Sequence, residues 1–376
     1  MQGPGAALFL LGRVFFLRPF LMPICYTIRP SQATETLAAM LPRLPNVPLF
    51  ALVVLVALLS AGCAPMVMRP GPAVSAPVLE HTRFVAADGA VLPVRSWLPQ
   101  GEPVKAVIVA LHGFNDYSNF FTRPGEYLSR QGIACYAYDQ RGFGNAPRRG
   151  LWAGVEAYTD DLKAFAAQAR RRHPGVPLYV LGESMGGAVT IVAMASAPTL
   201  ADGLILASPA VWGRSAMPWW QRALLEVTAH TVPDWQLTGK GLKIMASDNI
   251  EMLRGLGRDP LVIKATRVDA IYGLADLMDA ALADASKLKV ATLVLYGERD
   301  QVVPREPVGQ MLEHMQKAPH TRLALYENGY HLLLRDLQAE KPWRDIAAWI
   351  GDHAAPLPSG AERPLALVGS KPGKSG

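Results

Sequence analysis

Fifteen residues, LYVLGESMGGAVTIV (178–192), leave few folds open. Leu178, Tyr179, Val180 and Leu181 make a short apolar run suited to a central strand, and Ala188, Val189, Ile191, Val192 and Met194 resume at helical density. Between the two runs stands one serine in the spacing G-x-S-x-G. Gly182 and Gly186 allow the backbone to fold tightly there, so the strand passes to the helix through a single sharp turn with the Ser184 hydroxyl at its apex.

The rest of the chain repeats that alternation. TRFVAADGAVLPVRSWLP alternates on both sides of Asp88-Gly89, which predicts a β-hairpin. Continuous apolar runs follow at AVIVALHG (106–113), ACYAYD (134–139), LYVLG, LILAS (204–208), TLVLYG (292–297) and RLALYE (322–327). Helical stretches separate them, around Pro124 to Arg130, from Val155 to Arg172, after Ser184, and finally from about Leu332 to Ile350. Strands apolar on both sides and alternating with helices predict a mostly parallel sheet with helices on both faces, an α/β fold. Residues 81–208 and 288–352 form this core. Residues 209–287 interrupt it with helical pieces such as PWWQRALLEVTAH and read as an inserted cap. Residues 353–376, with PLPSG and GSKPGKSG, read as a disordered tail, and no internal repeat is visible.

A serine hydroxyl is a poor nucleophile near neutral pH, so Ser184 needs a base, and the base needs a carboxylate to fix its tautomer. In a parallel sheet both belong at the carboxyl ends of later strands. TLVLYGERDQVVP puts Asp300 just past one such strand, with Glu298 two residues away as the alternative acid; RLALYENGYHLLLRD puts His331 past the next. The other histidines after Asp300 fit less well, because His314 falls within a helical stretch, His320 precedes its strand and His353 follows the last helix. The order Ser184, Asp300, His331 is that of the α/β-hydrolase fold. An oxyanion hole then needs two backbone N–H donors, worth on the order of 3 kcal/mol each. Met185, after the nucleophile, supplies one, and Phe114, in the loop His112-Gly113-Phe114-Asn115, supplies the other. His112 is assigned to ordering that loop rather than to chemistry. Cys135, inside an apolar strand, reads as a buried inert thiol.

LHGFNDYS, YDQRGFGNA, LGESMGGAV, DPLVIKATRV, YGERDQVVP and GYHLLLRD together resemble the monoacylglycerol lipase and lysophospholipase branch of the serine α/β-hydrolases, over residues 81 to 350. The resemblance implies hydrolysis of carboxylic esters of medium or long acyl chains through an acyl-enzyme, without a metal or organic cofactor. It also implies a mobile cap over an acyl tunnel, for which Trp212, Trp219, Trp220, Leu224, Leu225 and Val227 are the candidate lining residues. Two positions depart from the branch. Glu183 stands where many of its lipases have histidine, and RGFGNA replaces a more usual histidine and serine. No H-E-x-x-H, C-x-x-C, G-x-x-x-x-G-K-[ST] or G-x-G-x-x-G motif occurs, so neither a metal nor a nucleotide cofactor is expected. Other activities on the same triad are an aminopeptidase-like or an acyltransferase reaction, and a noncatalytic lipid-binding lipoprotein is the reading from another class. A peptidase calls for clustered acids in the cap, whereas Glu226, Asp234, Asp248 and Glu251 are scattered; a noncatalytic protein calls for a broken triad.

The N-terminus points outside the cytoplasm. LFALVVLVALL (49–59) has the length of a signal-peptide apolar region, and Ser60-Ala61-Gly62-Cys63 resembles the lipobox of bacterial lipoproteins, with Ser60 in place of the usual leucine. Residues 1–62 are therefore expected to be a leader. Cys63 is expected to carry the lipid that anchors the chain in the bacterial cell envelope, on the periplasmic or outer-membrane side, and 63–80 to be a proline-rich tether. Arg43 after Met40 makes a conventional leader start, so residues 1–39 read as an upstream extension from a start codon placed too early, the alternative being a genuine membrane-associated N-terminal segment. The net charge of +6 is spread along the chain, and its densest runs, Arg148-Arg149 and Arg170-Arg171-Arg172, lack interleaved aromatics. Nucleic acid is therefore not an expected partner; a lipid or other ester substrate and a membrane are. Nothing in the pattern sets an oligomeric state.

Overall fold

The computed structural model describes residues 64–365 except 102, 240 and 316–319. The leader, Cys63 and the last eleven residues of the expected tail lie outside the described residues. The elements in chain order are β1 (Val78–Leu79), β2 (Arg83–Val85), β3 (Val91–Trp97), β4 (Ala106–Leu111), α1 (Thr122–Ser129), β5 (Ile133–Tyr138), α2 (Val155–Arg172), β6 (Leu178–Glu183), α3 (Met185–Ser196) and β7 (Gly203–Ala207). After these come α4 (Trp219–Thr231), β8 (Gln236–Thr238), α5 (Ile250–Arg258), β9 (Ala265–Arg267), α6 (Val268–Asp284), β10 (Ala291–Gly297), α7 (Arg305–His314), β11 (Thr321–Tyr326), α8 (Glu340–Gly351) and β12 (Glu362–Arg363).

Among the described residues, ten strands form one sheet in the order β1-β2-β3-β5-β4-β6-β7-β10-β11-β12. The run from β5 to β11 is parallel, and antiparallel strands close both edges. Every residue of β4, β5, β6, β7 and β10 is buried, because helices cover both faces and no side of these strands meets water. The hairpin forms as the Asp88-Gly89 pair predicts, with Gly89 at a φ of 81° and β2 antiparallel to β3. The three arginines of Arg170–Arg172 end α2, where cations face the negative end of the helix dipole.

The structure redraws four boundaries. Helix α6, expected inside the cap, packs on α3; Ile271, Leu274, Ala275, Leu277, Met278 and Ala281 are buried along it, so it belongs to the helical layer over the sheet. Gly273 seats it closely, since a Cβ there would lie 2.3 Å from the Trp152 indole nitrogen. The true insertion is α4, the two-stranded β8–β9 ribbon and α5. The last helix starts at Glu340 rather than near Leu332, and a 3₁₀ turn over Leu333–Arg335 precedes it.

The tether is not free, because Val67 pairs with Trp152, the Met68 N–H donates to Trp152 O at 2.7 Å, and the Val74 N–H donates to Ala87 O at 2.7 Å. Prolines keep this segment extended but leave its other backbone groups free to pair with the body. The tail also begins later than expected: β12 pairs with β11, and the Ser359 N–H donates to Asp345 Oδ1 at 2.9 Å. Among the described residues, no helix is long and apolar enough to cross a membrane.

Candidate active site

Ser184 sits between β6 and α3 with φ 53° and ψ −115°, a left-handed backbone conformation that side chains rarely adopt. The surrounding glycines explain how the turn holds it. A Cβ on Gly182 would stand 2.3 Å from Gly186 O, and one on Gly186 would stand 2.3 Å from Leu111 O, so the elbow can close only without side chains there. The Ser184 N–H donates to Ala207 O at 3.0 Å, and its carbonyl accepts the N–H of Ala210 at 2.9 Å. The two bonds fix the turn to the end of the neighbouring strand β7 and to the segment that follows it.

Later strands of the same sheet supply the other two side chains. His331 follows β11, and its Nε2 lies 3.0 Å from Ser184 Oγ. Its Nδ1 lies 2.8 Å from Asp300 Oδ2. An ionised carboxylate only accepts, so Nδ1–H is the donor and Nε2 is left to accept the serine proton. Asp300 follows β10, and its second oxygen accepts the N–H groups of Val302 at 2.7 Å and Val303 at 3.0 Å. Glu298, the alternative acid, is exposed, and the His331 Nδ1 bond goes to Asp300 instead. The side chains of Asp300 and His331 are both 0 % exposed, and Ser184 is 5 % exposed.

The loop after β4 closes over the serine. A Cβ on Gly113 would lie 3.3 Å from Ser184 Cβ, which places this loop against the nucleophile and the Phe114 N–H one residue further on. Met185 opens α3, where first-turn N–H groups have no acceptor within the helix. His112 is fully buried and holds the loop: Nδ1–H donates to Gly113 O at 2.8 Å and Nε2 accepts the Gln140 N–H at 3.0 Å. Burial lowers its pKa, which keeps the ring neutral and able to do both. Burial likewise pushes the Cys135 thiol up, away from thiolate reactivity.

Sequence reasoning passed over a buried charge cluster directly beside this site. Arg335 Nη1 pairs with Asp116 Oδ2 at 2.7 Å and Nη2 with Glu183 Oε1 at 2.8 Å, and all three residues are buried. Burial pushes the Glu183 carboxyl up, against the pull of Arg335. Burial also works against the Arg335 cation, but its two carboxylates outweigh it and hold its pKa above the ordinary value. The readable signal was a charge pair, Arg335-Asp336, closing the apolar run HLLL.

The insertion is stitched to the two loops that carry the site. On the histidine side, the Leu332 N–H donates to Ala246 O at 2.9 Å, Ser247 Oγ–H to Asp336 Oδ1 at 2.5 Å, and the Leu337 N–H to Asp248 Oδ1 at 2.8 Å. On the other side, Asn115 Nδ2 donates to Thr266 Oγ1 at 2.7 Å and Tyr117 OH to Asp259 Oδ2 at 2.8 Å. A cavity of about 10 Å³ beside Phe114, bounded by Asn115, Trp152, Ile263 and Thr266, holds no more than a single water. Of the expected cap residues, Trp212 is buried in the main apolar cluster, Trp220 and Leu224 are half-buried along α4, and Leu225 is buried on it. Trp219 and Val227 are 74 % and 58 % exposed, so the structure turns these two toward solvent instead of toward Ser184. Among the described residues, no group of three or more His, Cys, Asp or Glu could hold a metal ion.

Comparison with known proteins is consistent with this geometry. Residues 102–338 match the family described as serine aminopeptidase, S33 (Hydrolase_4). The monoglyceride lipase of Rattus norvegicus is 26 % identical over 288 residues, 74 % of this chain and 93 % of that one. The monoacylglycerol lipase of Mycolicibacterium smegmatis is 24 % identical over 279 residues, 73 % of this chain and 97 % of that one. The crystal structure of Paleococcus ferrophilus monoacylglycerol lipase superimposes with a TM-score of 0.60 at 24 % identity, covering 70 % of this chain and 99 % of that one.

Proposed function

The chain belongs to the Hydrolase_4 family, and we propose that within it the protein is a serine esterase that releases medium or long acyl chains from glycerol-type esters. The observation that carries this reading is the continuous relay from Asp300 through His331 to Ser184, with separations of 2.8 and 3.0 Å, ending on a strained elbow. Ser184 Oγ attacks the ester carbonyl while His331 Nε2 takes its proton. Phe114 and Met185 N–H groups face the oxygen that becomes negative. His331 then gives the proton to the departing alcohol, leaving an acyl group on Ser184. Water, deprotonated by His331 in the same way, attacks that acyl group, and the fatty acid leaves as Ser184 Oγ recovers the proton.

The monoglyceride lipases among the relatives support a lipid ester as substrate. The family's description names an aminopeptidase, which would need acidic groups free to hold a substrate amine. In the insertion Glu226 contacts Tyr272 OH, Asp248 accepts the Leu337 N–H and Glu251 pairs with Arg254, so these three carboxylates are already engaged. Ser184 and His331 are closed off from solvent, which supports an insertion that shifts to admit the acyl chain. Cys63 is the proposed lipid attachment point, which would hold the enzyme on the cell-envelope membrane where such esters partition. The leader pattern of 49–63 supports it.

Full-length protein in detergent micelles would be assayed for fatty-acid release from monoacylglycerols and p-nitrophenyl esters of increasing chain length, beside aminoacyl p-nitroanilides, with Ser184→Ala as the blank. Ester turnover that is absent from the blank and peaks at one chain length is expected. Anilide turnover exceeding ester turnover would replace this reading with the peptidase one. Palmitate labelling that persists in Cys63→Ser would remove the anchor.

A further inference from the structure

We propose that Arg335 is a positioning residue for ester cleavage, its single guanidinium holding the nucleophile turn, the oxyanion loop and the base loop in register. The inference rests on the esterase reading for the identity of the reaction, but its geometry is independent of substrate. Glu183 is the residue before Ser184, Asp116 is two residues after Phe114, and Arg335 is four residues after His331. Each of these three loops therefore contributes one member of the cluster.

The chemistry of the side chain suits the task. A guanidinium is planar, and its two terminal nitrogens point at a fixed angle, so bonds of 2.7 Å to Asp116 and 2.8 Å to Glu183 set the separation of the two carboxylates. An ammonium on a flexible stem could satisfy either but would not fix both. Arg335 is itself held: its N–H donates to Leu332 O at 2.8 Å, its carbonyl accepts Asn249 Nδ2 at 3.0 Å, and its guanidinium lies 6.0 Å from the Phe120 ring centre. Movement of the base loop is thus coupled to the residue next to the nucleophile.

The cluster is poorly explained as a stability device. Buried ion pairs are often no more stabilising than apolar residues of the same volume. Among the described residues, this one also leaves the buried Arg335 Nε and Glu183 Oε2 without a protein hydrogen-bond partner. Its placement where three catalytic loops meet accounts for what its energetics do not. A second buried arginine, Arg141, bridges Asp88 and Asp161 between the hairpin and α2, and supplies an internal control of similar construction whose carboxylate partners lie on none of the three loops.

The test compares the full-length wild type with Arg335→Lys, Glu183→Gln, Asp116→Asn and Arg141→Lys. Ester kcat and KM would be measured per folded active site, counted by exhaustive fluorophosphonate labelling, together with the rate of that labelling and the unfolding temperature. In Arg335→Lys, kcat and the labelling rate are expected to fall on the order of 10- to 100-fold with KM within about twofold, the signature of misplaced reacting groups. Arg141→Lys should lose unfolding temperature while keeping kcat per site.

Wild-type kcat and labelling rate in folded Arg335→Lys would overturn the proposal. So would losses that merely track the folded fraction. If Arg335→Lys does not fold, Glu183→Gln and Asp116→Asn decide, and wild-type rates in both would overturn it. Wild-type protein that is labelled but hydrolyses no ester would sink the esterase reading alone, since the labelling rates still judge Arg335. Wild-type protein that resists labelling would sink both.

Discussion

Asp300 shows how much of the chemistry depends on the state of one side chain. It does not reach Ser184 itself but bonds His331, and its Oδ2 selects the His331 tautomer that leaves Nε2 facing Ser184. Asp300→Asn preserves the shape but presents an amide that can turn its N–H₂ to Nδ1, which stabilises the opposite tautomer. The expected outcome is a kcat lower by on the order of 10,000-fold with the unfolding temperature little changed, read from p-nitrophenyl ester turnover and a thermal melt. A loss below tenfold would remove Asp300 from the relay.

The meeting of Ser184, Asp300 and His331 was legible in the sequence because each follows an apolar run that ends abruptly, so local pattern alone put them at strand ends. Arg335 was not legible: four residues past His331 in an apolar stretch, it read as part of a helix beginning near Leu332. The pairing that gives it meaning joins it to residues 152 and 219 positions away, a relation no local pattern carries.

At the scale of elements, the contact between the insertion and the histidine loop converges on Asp336. Its Oδ1 accepts Ser247 Oγ–H and its Oδ2 accepts the Tyr330 N–H at 2.7 Å, while Asp248 and Glu183 lie near enough to oppose its charge. Burial is the largest influence and raises its pKa from 3.8 to about 6. A carboxyl that binds its proton more tightly in the fold than in the unfolded chain contributes stability that is fully present below about pH 4 and lost as pH rises through about 6. About 2–3 kcal/mol is involved, because each tenfold gain in proton affinity is worth about 1.4 kcal/mol. Urea unfolding of the wild type should show this decline across that window, and Asp336→Asn should flatten it; parallel curves would show that the carboxyl does not titrate there.

Element boundaries were the weaker part of the sequence reading. Helix α6 resembles a cap helix in composition, and only its burial against α3 shows that it completes the layer over the sheet. The tail hides β12 because a two-residue strand has no periodicity to detect, and its place is set by the open edge of β11.

Over the whole molecule, the N-terminal segment and the catalytic machinery turn out to share a wall. The Met68 N–H bonds to Trp152 O, and the Trp152 ring packs 6.3 Å, centre to centre, from Phe114 in the oxyanion loop. Prolines at 65, 70, 72 and 77 suggested a loose spacer, and their extended backbone is what lets the segment lie along the body instead. Hydrogen exchange measures the difference. The amides of Met68 and Val74 are expected to exchange on the order of 100-fold more slowly than in an unstructured peptide, whereas a loose spacer would show no protection.

If Cys63 carries the proposed lipid, the chain is fixed again at Val67, and the three residues between them give four Cα-to-Cα steps, about 14 Å at full extension. An enzyme on so short a leash could not roam the surrounding water for its substrate. It would sample only molecules drifting through the adjacent patch of lipid leaflet, so its rate would follow their mole fraction in that leaflet rather than their bulk concentration, and added inert lipid would slow it by surface dilution.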